Sequence, residues 1–213
     1  MKSLLAISMR VAAEGMHAEV RDCIAHDWWS FLGCALPDCM PLLLPNNVVM
    51  ARRLLDELKP CGLVLTGGND IGASIERDES ESLALSWMMA RNHPVIGICR
   101  GMQFMVQQLG GVLSPVSQDL HIGMNHALRV FEGRPLPHLL PSQQVNSYHA
   151  WQAIPDEASP LKVWAVSAVD GAIEAVYAHD MKLLGIMWHP EREQSFKSFD
   201  QALFASHFRR SNE

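Results

Sequence analysis

The chain has 213 residues, 48% of them hydrophobic, and a formal net charge of −6 with acids and bases interspersed. That length suits one domain with a full core, and the chain is read as a single domain over 1–213. Basic clusters that would mark nucleic-acid binding are missing from the sequence, and no apolar run approaches the ~20 residues of a membrane span.

The first nine residues, MKSLLAISM, are too short for a signal-peptide core and predict a strand over 4–8. Val20, Cys23, Ile24, Trp28, Phe31 and Leu32 recur at helical spacing and predict a helix. A strand follows over 41–44. Asn46 or Asn47 then caps a helix carrying Val49, Leu54, Leu55 and Leu58. The run 62–66 reads as a strand ended by Gly67-Gly68. Residues 78–92 read as a helix with acids first and Arg91 last, which suits the helix dipole. A strand over Val95–Ile98 leads into a helix over 101–109, closed by Gly110-Gly111. This rhythm predicts an α/β fold with a mostly parallel sheet and helices on both faces. At least five strands are expected in that sheet.

The second half predicts strands over 128–131, 161–169, 173–178 and 183–188, with Asp170-Gly171 as a hairpin turn. These suggest a smaller antiparallel sheet. A helix over 195–209 closes the chain, and the Pro-rich stretch 134–141 reads as a loop. The cysteines number five, with no regular spacing and no C-x-x-C pair. That argues for a reducing, cytoplasmic setting and against a disulfide framework.

Gly97-Ile98-Cys99-Arg100-Gly101 puts a thiol on a strand-to-helix corner between two glycines. It is the cysteine counterpart of the nucleophile elbow, where a strained backbone demands small neighbours. The helix that follows aims its N-terminal amides at the sulfur and favours thiolate. The plainer reading is a core cysteine beside a glycine turn. A nucleophilic thiol needs a base, and Trp188-His189-Pro190-Glu191 offers one. In extended backbone His189 and Glu191 project to one side, so the carboxylate can hold the imidazole tautomer. The amides of Gly68 and Arg100 are candidates for an oxyanion hole, although Gly67-Gly68 also suits a turn that needs positive φ.

In order, T-G-G-N-D-I, G-I-C-R-G-M-Q, V-N-S-Y-H, D-G-x-I-E-A and W-H-P-E resemble a class I glutamine amidotransferase domain. More narrowly they are similar to the γ-glutamyl hydrolase branch, which includes hydrolases of γ-glutamyl-γ-aminobutyrate and shorter members acting on γ-glutamyl-CDP-amidates. The resemblance implies a flavodoxin-like fold and a Cys99–His189–Glu191 triad. It implies a γ-glutamyl thioester on Cys99, release of an amine, and attack by water. It places Gly67, Gln103, Asn146, Ser147, Tyr148 and His149 on the substrate side, with a small-molecule γ-glutamyl substrate and no cofactor. Glu174 would meet the substrate ammonium or, the favoured role, brace the histidine loop.

Arg77 reads as a helix-start pairing or as a contact to an anionic leaving group. His121 and His126 are five apart with only Asp119 at ligand spacing, so no metal is expected. Trp28, Trp29, Trp87, Trp151 and Trp164 read as core or rim, and leave a homodimer open. The segments 68–78 and 120–145 are short beside the familiar hydrolases, which leaves the amine open: γ-aminobutyrate, a nucleotide-activated amidate or another. The alternative activity is a glutaminase subunit delivering ammonia to a partner synthase. A non-catalytic module on the same fold is disfavoured by the intact Cys99, His189 and Glu191.

Overall fold

The structure is a computed structural model that describes residues 3–14, 19–131, 143–178 and 180–208. The loop expected at 134–141 lies outside the described residues.

The strands are β1 (Ser3–Ser8), β2 (Arg10–Glu14), β3 (Glu19–Cys23), β4 (Cys39–Leu44), β5 (Leu63–Leu65), β6 (Val95–Ile98) and β7 (Val112–Pro115). They continue with β8 (Ile122–Val130), β9 (Gln144–Tyr148), β10 (Trp151–Ile154), β11 (Lys162–Ser167), β12 (Ile173–Ala178) and β13 (Leu183–Ile186). The helices are α1 (Asp27–Ala35), α2 (Val48–Leu58), α3 (Ile75–Met89), α4 (Arg100–Gln108), α5 (Gln118–His121) and α6 (Ser198–His207).

A nine-stranded sheet runs in the order β4-β1-β5-β6-β13-β12-β11-β8-β9. Its first half, from β4 to β13, is parallel, and β12, β11, β8 and β9 continue it antiparallel. Helices cover the sheet, in a flavodoxin-like arrangement. The antiparallel strands of the second half thus extend the main sheet. The smaller antiparallel sheets are the pairs β2-β3 and β7-β10.

The central strands β5, β6 and β13 are buried throughout. Buried on both faces, they read as unbroken apolar runs, which is why they were legible. Asn47 is the α2 cap: its side chain accepts from the Met50 amide at 3.0 Å, a bond that contributes about 1 kcal/mol.

Three expectations are corrected. The helical spacing from Val20 to Leu32 spans a strand and a helix: β3 pairs with β2, and α1 starts only at Asp27. The helix expected from residue 78 starts at Ile75, because Ser74 accepts from the Arg77 amide and caps it. It ends at Met89, so Arg91 lies beyond its last turn. The strand expected over 183–188 ends at Ile186. Trp28, Trp87 and Trp164 belong to the core, while Trp29 and Trp151 are exposed.

Candidate active site

Three adjacent parallel strands end at one place. Leu65 of β5 pairs with Gly97 of β6, and Ile98 of β6 pairs with Ile186 of β13. Just past these pairs come Gly67-Gly68, Cys99 and His189. The carboxyl ends of parallel strands are where open α/β sheets place ligand sites.

Cys99 holds φ 50° and ψ −106°, a strained conformation for a residue with a side chain. Its amide donates to the Ile186 carbonyl at 2.7 Å, and its carbonyl accepts from Gln103 at 3.0 Å, so the corner is held at both ends. Both flanking glycines are sterically required. A Cβ on Gly97 would sit 2.6 Å from the Gly101 carbonyl, and one on Gly101 would sit 2.1 Å from the Leu65 oxygen. The G-x-C-x-G pattern therefore records the close passage of β5, β6 and α4.

His189 and Glu191 meet, with Nδ1 2.7 Å from the carboxylate oxygen Oε1. The expected extended backbone is not the reason. Pro190–Arg192 forms a 3₁₀ turn, and that turn folds the carboxylate back onto the ring. Burial pushes the imidazole down, but the charge and hydrogen bond of Cys99, and then those of Glu191, push it up by more, to about 9. Gly67 touches the same ring: a Cβ there would stand 2.7 Å from His189 Cε1. Behind it, Trp188 Nε1 donates to Asp200 Oδ1 at 2.8 Å, and burial raises that carboxyl to about 7.

Beneath the Gly67-Gly68 loop lies a buried charge network. Arg77 is fully buried and donates to the carbonyls of Thr66, Gly67 and Gly68 and to Asn69 Oδ1. Glu81 pairs with it at 2.9 Å, and Arg100 pairs with both Glu81 and Asp78. Across a trans peptide the carbonyl and the next N–H point in opposite directions. Arg77 draws the Gly67 carbonyl inward, so the Gly68 amide faces away from the network. Gly68 itself needs φ +80°, which glycine supplies. Among the described residues, neither the Gly68 nor the Arg100 amide has an internal acceptor. Arg77 thus extends well beyond a helix-start pairing, and it faces the loop rather than a leaving group.

A cleft of about 520 Å³ opens over this place, lined by Gly68, Cys99, Arg100, Gln103, Tyr148, His149 and His189 among others. Gln103 Nε2 donates to the Trp151 carbonyl at 2.8 Å, so its side chain is braced against the far rim. Tyr148 sets its ring edge-on to His189, with centroids 5.8 Å apart. Two of the residues expected on the substrate side lie elsewhere. Asn146 is buried and grips His189: its Oδ1 accepts from the His189 amide and its Nδ2 donates to the His189 carbonyl, both at 2.8 Å. Ser147 is fully buried, its hydroxyl 3.3 Å from His121 Nδ1.

Glu174 is fully buried and accepts from His149 at 3.2 Å, which fits bracing rather than contact with a substrate ammonium. His121 and His126 join it, and ligand atoms of this trio lie within 4.8 Å of one another, a set that could hold a metal ion. The carboxylate comes from β12, far from His121 in sequence and outside any local ligand spacing.

Sequence reasoning also missed Arg10 and Arg192 at the rim of the site. Arg10 enters through the β2-β3 hairpin, whose second strand falls within the helical spacing expected from Val20.

The chain is similar to known proteins over most of its length. The family model described as Peptidase C26 matches residues 4–191. A γ-glutamyl-CDP-amidate hydrolase from Campylobacter jejuni is 27% identical over 203 residues, covering 91% of this chain and 92% of that protein. A γ-glutamyl-γ-aminobutyrate hydrolase from Escherichia coli O157:H7 is 30% identical over 203 residues, 78% of each chain. The crystal structure of a glutamine amidotransferase from Thermotoga maritima superposes with a TM-score of 0.67 at 15% identity, covering 90% of this chain and 77% of that one. At that identity the likeness speaks for the fold alone. With its sheet, its cysteine corner and a family match spanning most of its length, this chain belongs to the peptidase C26 family of class I glutamine amidotransferase-like proteins, hydrolases and amidotransferases that act on C–N bonds.

Proposed function

We propose that the chain is a cysteine-dependent hydrolase that cleaves a γ-glutamyl amide and releases glutamate and an amine. The observation that carries this reading is the convergence of a strained Cys99, a Glu191-bound His189 and the Gly68 amide at one end of the cleft. The similarity to two γ-glutamyl hydrolases supports the substrate class.

In this reading His189 takes the Cys99 proton, and the sulfur attacks the γ-carbonyl carbon. The carbonyl oxygen becomes an oxyanion facing the Gly68 and Arg100 amides. The C–N bond breaks as His189 protonates the departing amine. Water then gives a proton to His189 and attacks the thioester, the C–S bond breaks, and glutamate leaves. Glu191 keeps the imidazole in one tautomer throughout. The chain works as one catalytic domain over 1–213, without cofactor, in the cytoplasm.

The test is glutamate release by the purified chain alone. The panel holds free glutamine, γ-glutamyl-γ-aminobutyrate and a γ-glutamyl nucleotide amidate. Turnover of a γ-glutamyl amine is expected. Turnover of glutamine only when a synthase is added would replace the hydrolase with a partner-dependent glutaminase.

A further inference from the structure

We infer that Arg10 and Arg192 form an anion subsite beside Cys99, one that selects γ-glutamyl amides whose leaving amine carries a phosphate group. The inference rests on the hydrolase reading and goes beyond it by assigning the chemistry of the departing half.

Arg10 opens β2, directly after Met9 follows the core strand β1. The hairpin it starts belongs to its own two-stranded sheet. Asn69 fixes that hairpin to the site: its Oδ1 accepts from the Val11 amide and its Nδ2 donates to the Val11 carbonyl, both at 2.9 Å. The Arg10 side chain therefore lies along Gly68. A Cβ on that glycine would meet Cδ, Nε and Cζ of Arg10 at 3.4–3.6 Å. Arg192 arrives from the other side, one residue after Glu191. Its guanidinium carbon stands 4.8 Å over the Tyr148 ring.

Both arginines line a recess shared with Gly67, Gly68 and His189. Gly68, His189 and Arg192 also line the larger cleft, so recess and cleft meet beside the nucleophile. The Gln103 and His149 wall lies on the cleft alone. A substrate with its carbonyl at Cys99 has two arms, and this recess offers a second direction for one of them.

The charges are only partly committed, Arg192 by its stacking on Tyr148. Among the described residues Arg10 makes no ion pair, and the one carboxylate near Arg192 is Glu191, 3.8 Å away and already bonded to His189. The carboxylates lining either space are Asp70 and Glu191. In a chain of net charge −6, two arginines lining one recess are a local exception. Guanidinium forks match phosphate oxygens in pairs, which a single carboxylate uses less fully.

A matched series tests this: γ-glutamyl-ethanolamine, its O-phosphate, and γ-glutamyl-β-alanine as the carboxylate. The expected wild-type order of kcat/KM is phosphate, then carboxylate, then neutral. Arg10→Ala and Arg192→Ala are each expected to lower the phosphate-to-neutral ratio roughly tenfold or more, and Arg10→Lys to restore part of it. The ratio is also expected to shrink in high salt. An unchanged ratio in both alanine variants overturns the subsite. So does an equal loss on all three amides, which would place the arginines on the glutamyl carboxylate instead. If none of the three turns over, the hydrolase reading fails with these amides, and titration calorimetry on Cys99→Ala decides the subsite alone. Tighter binding of the phosphorylated amide, lost when Arg10→Ala is added, supports it; equal binding of all three overturns it.

Discussion

Cys99→Ala is expected to lower glutamate release from a γ-glutamyl amide by about 10⁴-fold or more, since Cys99 is the one thiol among the described residues that line the cleft with His189. Glu191→Gln is expected to cost roughly 10²-fold or more, through a less well-oriented and less basic imidazole. Glu191→Gln should also change the pH dependence. His189 titrates at about 9 in the folded chain, above its ordinary 6.5, with Cys99 and Glu191 outweighing burial. Proton binding at His189 therefore adds stability below pH 6.5, and that contribution is lost as pH rises through about 9. The acid that protonates the leaving amine is lost over the same range, so kcat/KM in the wild type falls as pH rises through about 9. Glu191→Gln removes one of the raising influences and moves that limb to lower pH. A pH–rate profile with the alkaline limb unmoved in Glu191→Gln would show that the pair does not work as a unit.

Arg77→Met is expected to be the most damaging substitution outside the cysteine corner. It removes a fully buried cation that holds three successive carbonyls, and it leaves Glu81 facing Arg100 alone. Breaking a buried ion pair from one side costs roughly 3–5 kcal/mol, a large share of a domain's stability. The midpoint of urea unfolding should drop accordingly. Arg77→Lys keeps the charge but loses the planar fork that reaches Thr66, Gly67 and Gly68 at once, so it should recover only part of the loss. Arg53→Met, which breaks an exposed pair with Glu57, serves as the control and should leave the midpoint nearly unchanged. Equal midpoints for Arg77→Met and Arg53→Met would mean that the buried network does not hold the loop.

What was legible in the sequence follows from burial. β5, β6 and β13 lie in the middle of the sheet, so their apolar runs stood out against the flanking turns. The glycines around Cys99 were legible for a related reason: backbone passes so close to them that no Cβ fits. The β2-β3 hairpin was hidden. β3 reads EVRDC, is mostly exposed and, among the described residues, pairs with β2 alone, so it shows no buried face, and Val20 and Cys23 fall within the spacing of α1. β7 and β10 were hidden too, since each finds its partner some forty residues away, Leu113 opposite Ala153.

The site divides along the same line. Cys99, His189 and Glu191 were visible because each sits within a local pattern at a strand end. Arg77, Asn146 and Glu174 act through contacts that only the fold creates. Asn146 illustrates this best: in the sequence it stands within a segment assigned to substrate, yet both ends of its amide are spent on the His189 backbone. Glu174 gathers His121 and His126 from one stretch of chain and His149 from another.

In the proposed reaction Cys99 carries the glutamyl group in a thioester. The most direct measurement is mass spectrometry of the chain quenched in acid during turnover of a γ-glutamyl amide, followed by peptide mapping. An added glutamyl group is expected on the peptide containing Cys99 and absent from Cys99→Ala. Steady turnover with the label on another residue, or turnover that persists in Cys99→Ala, would contradict it.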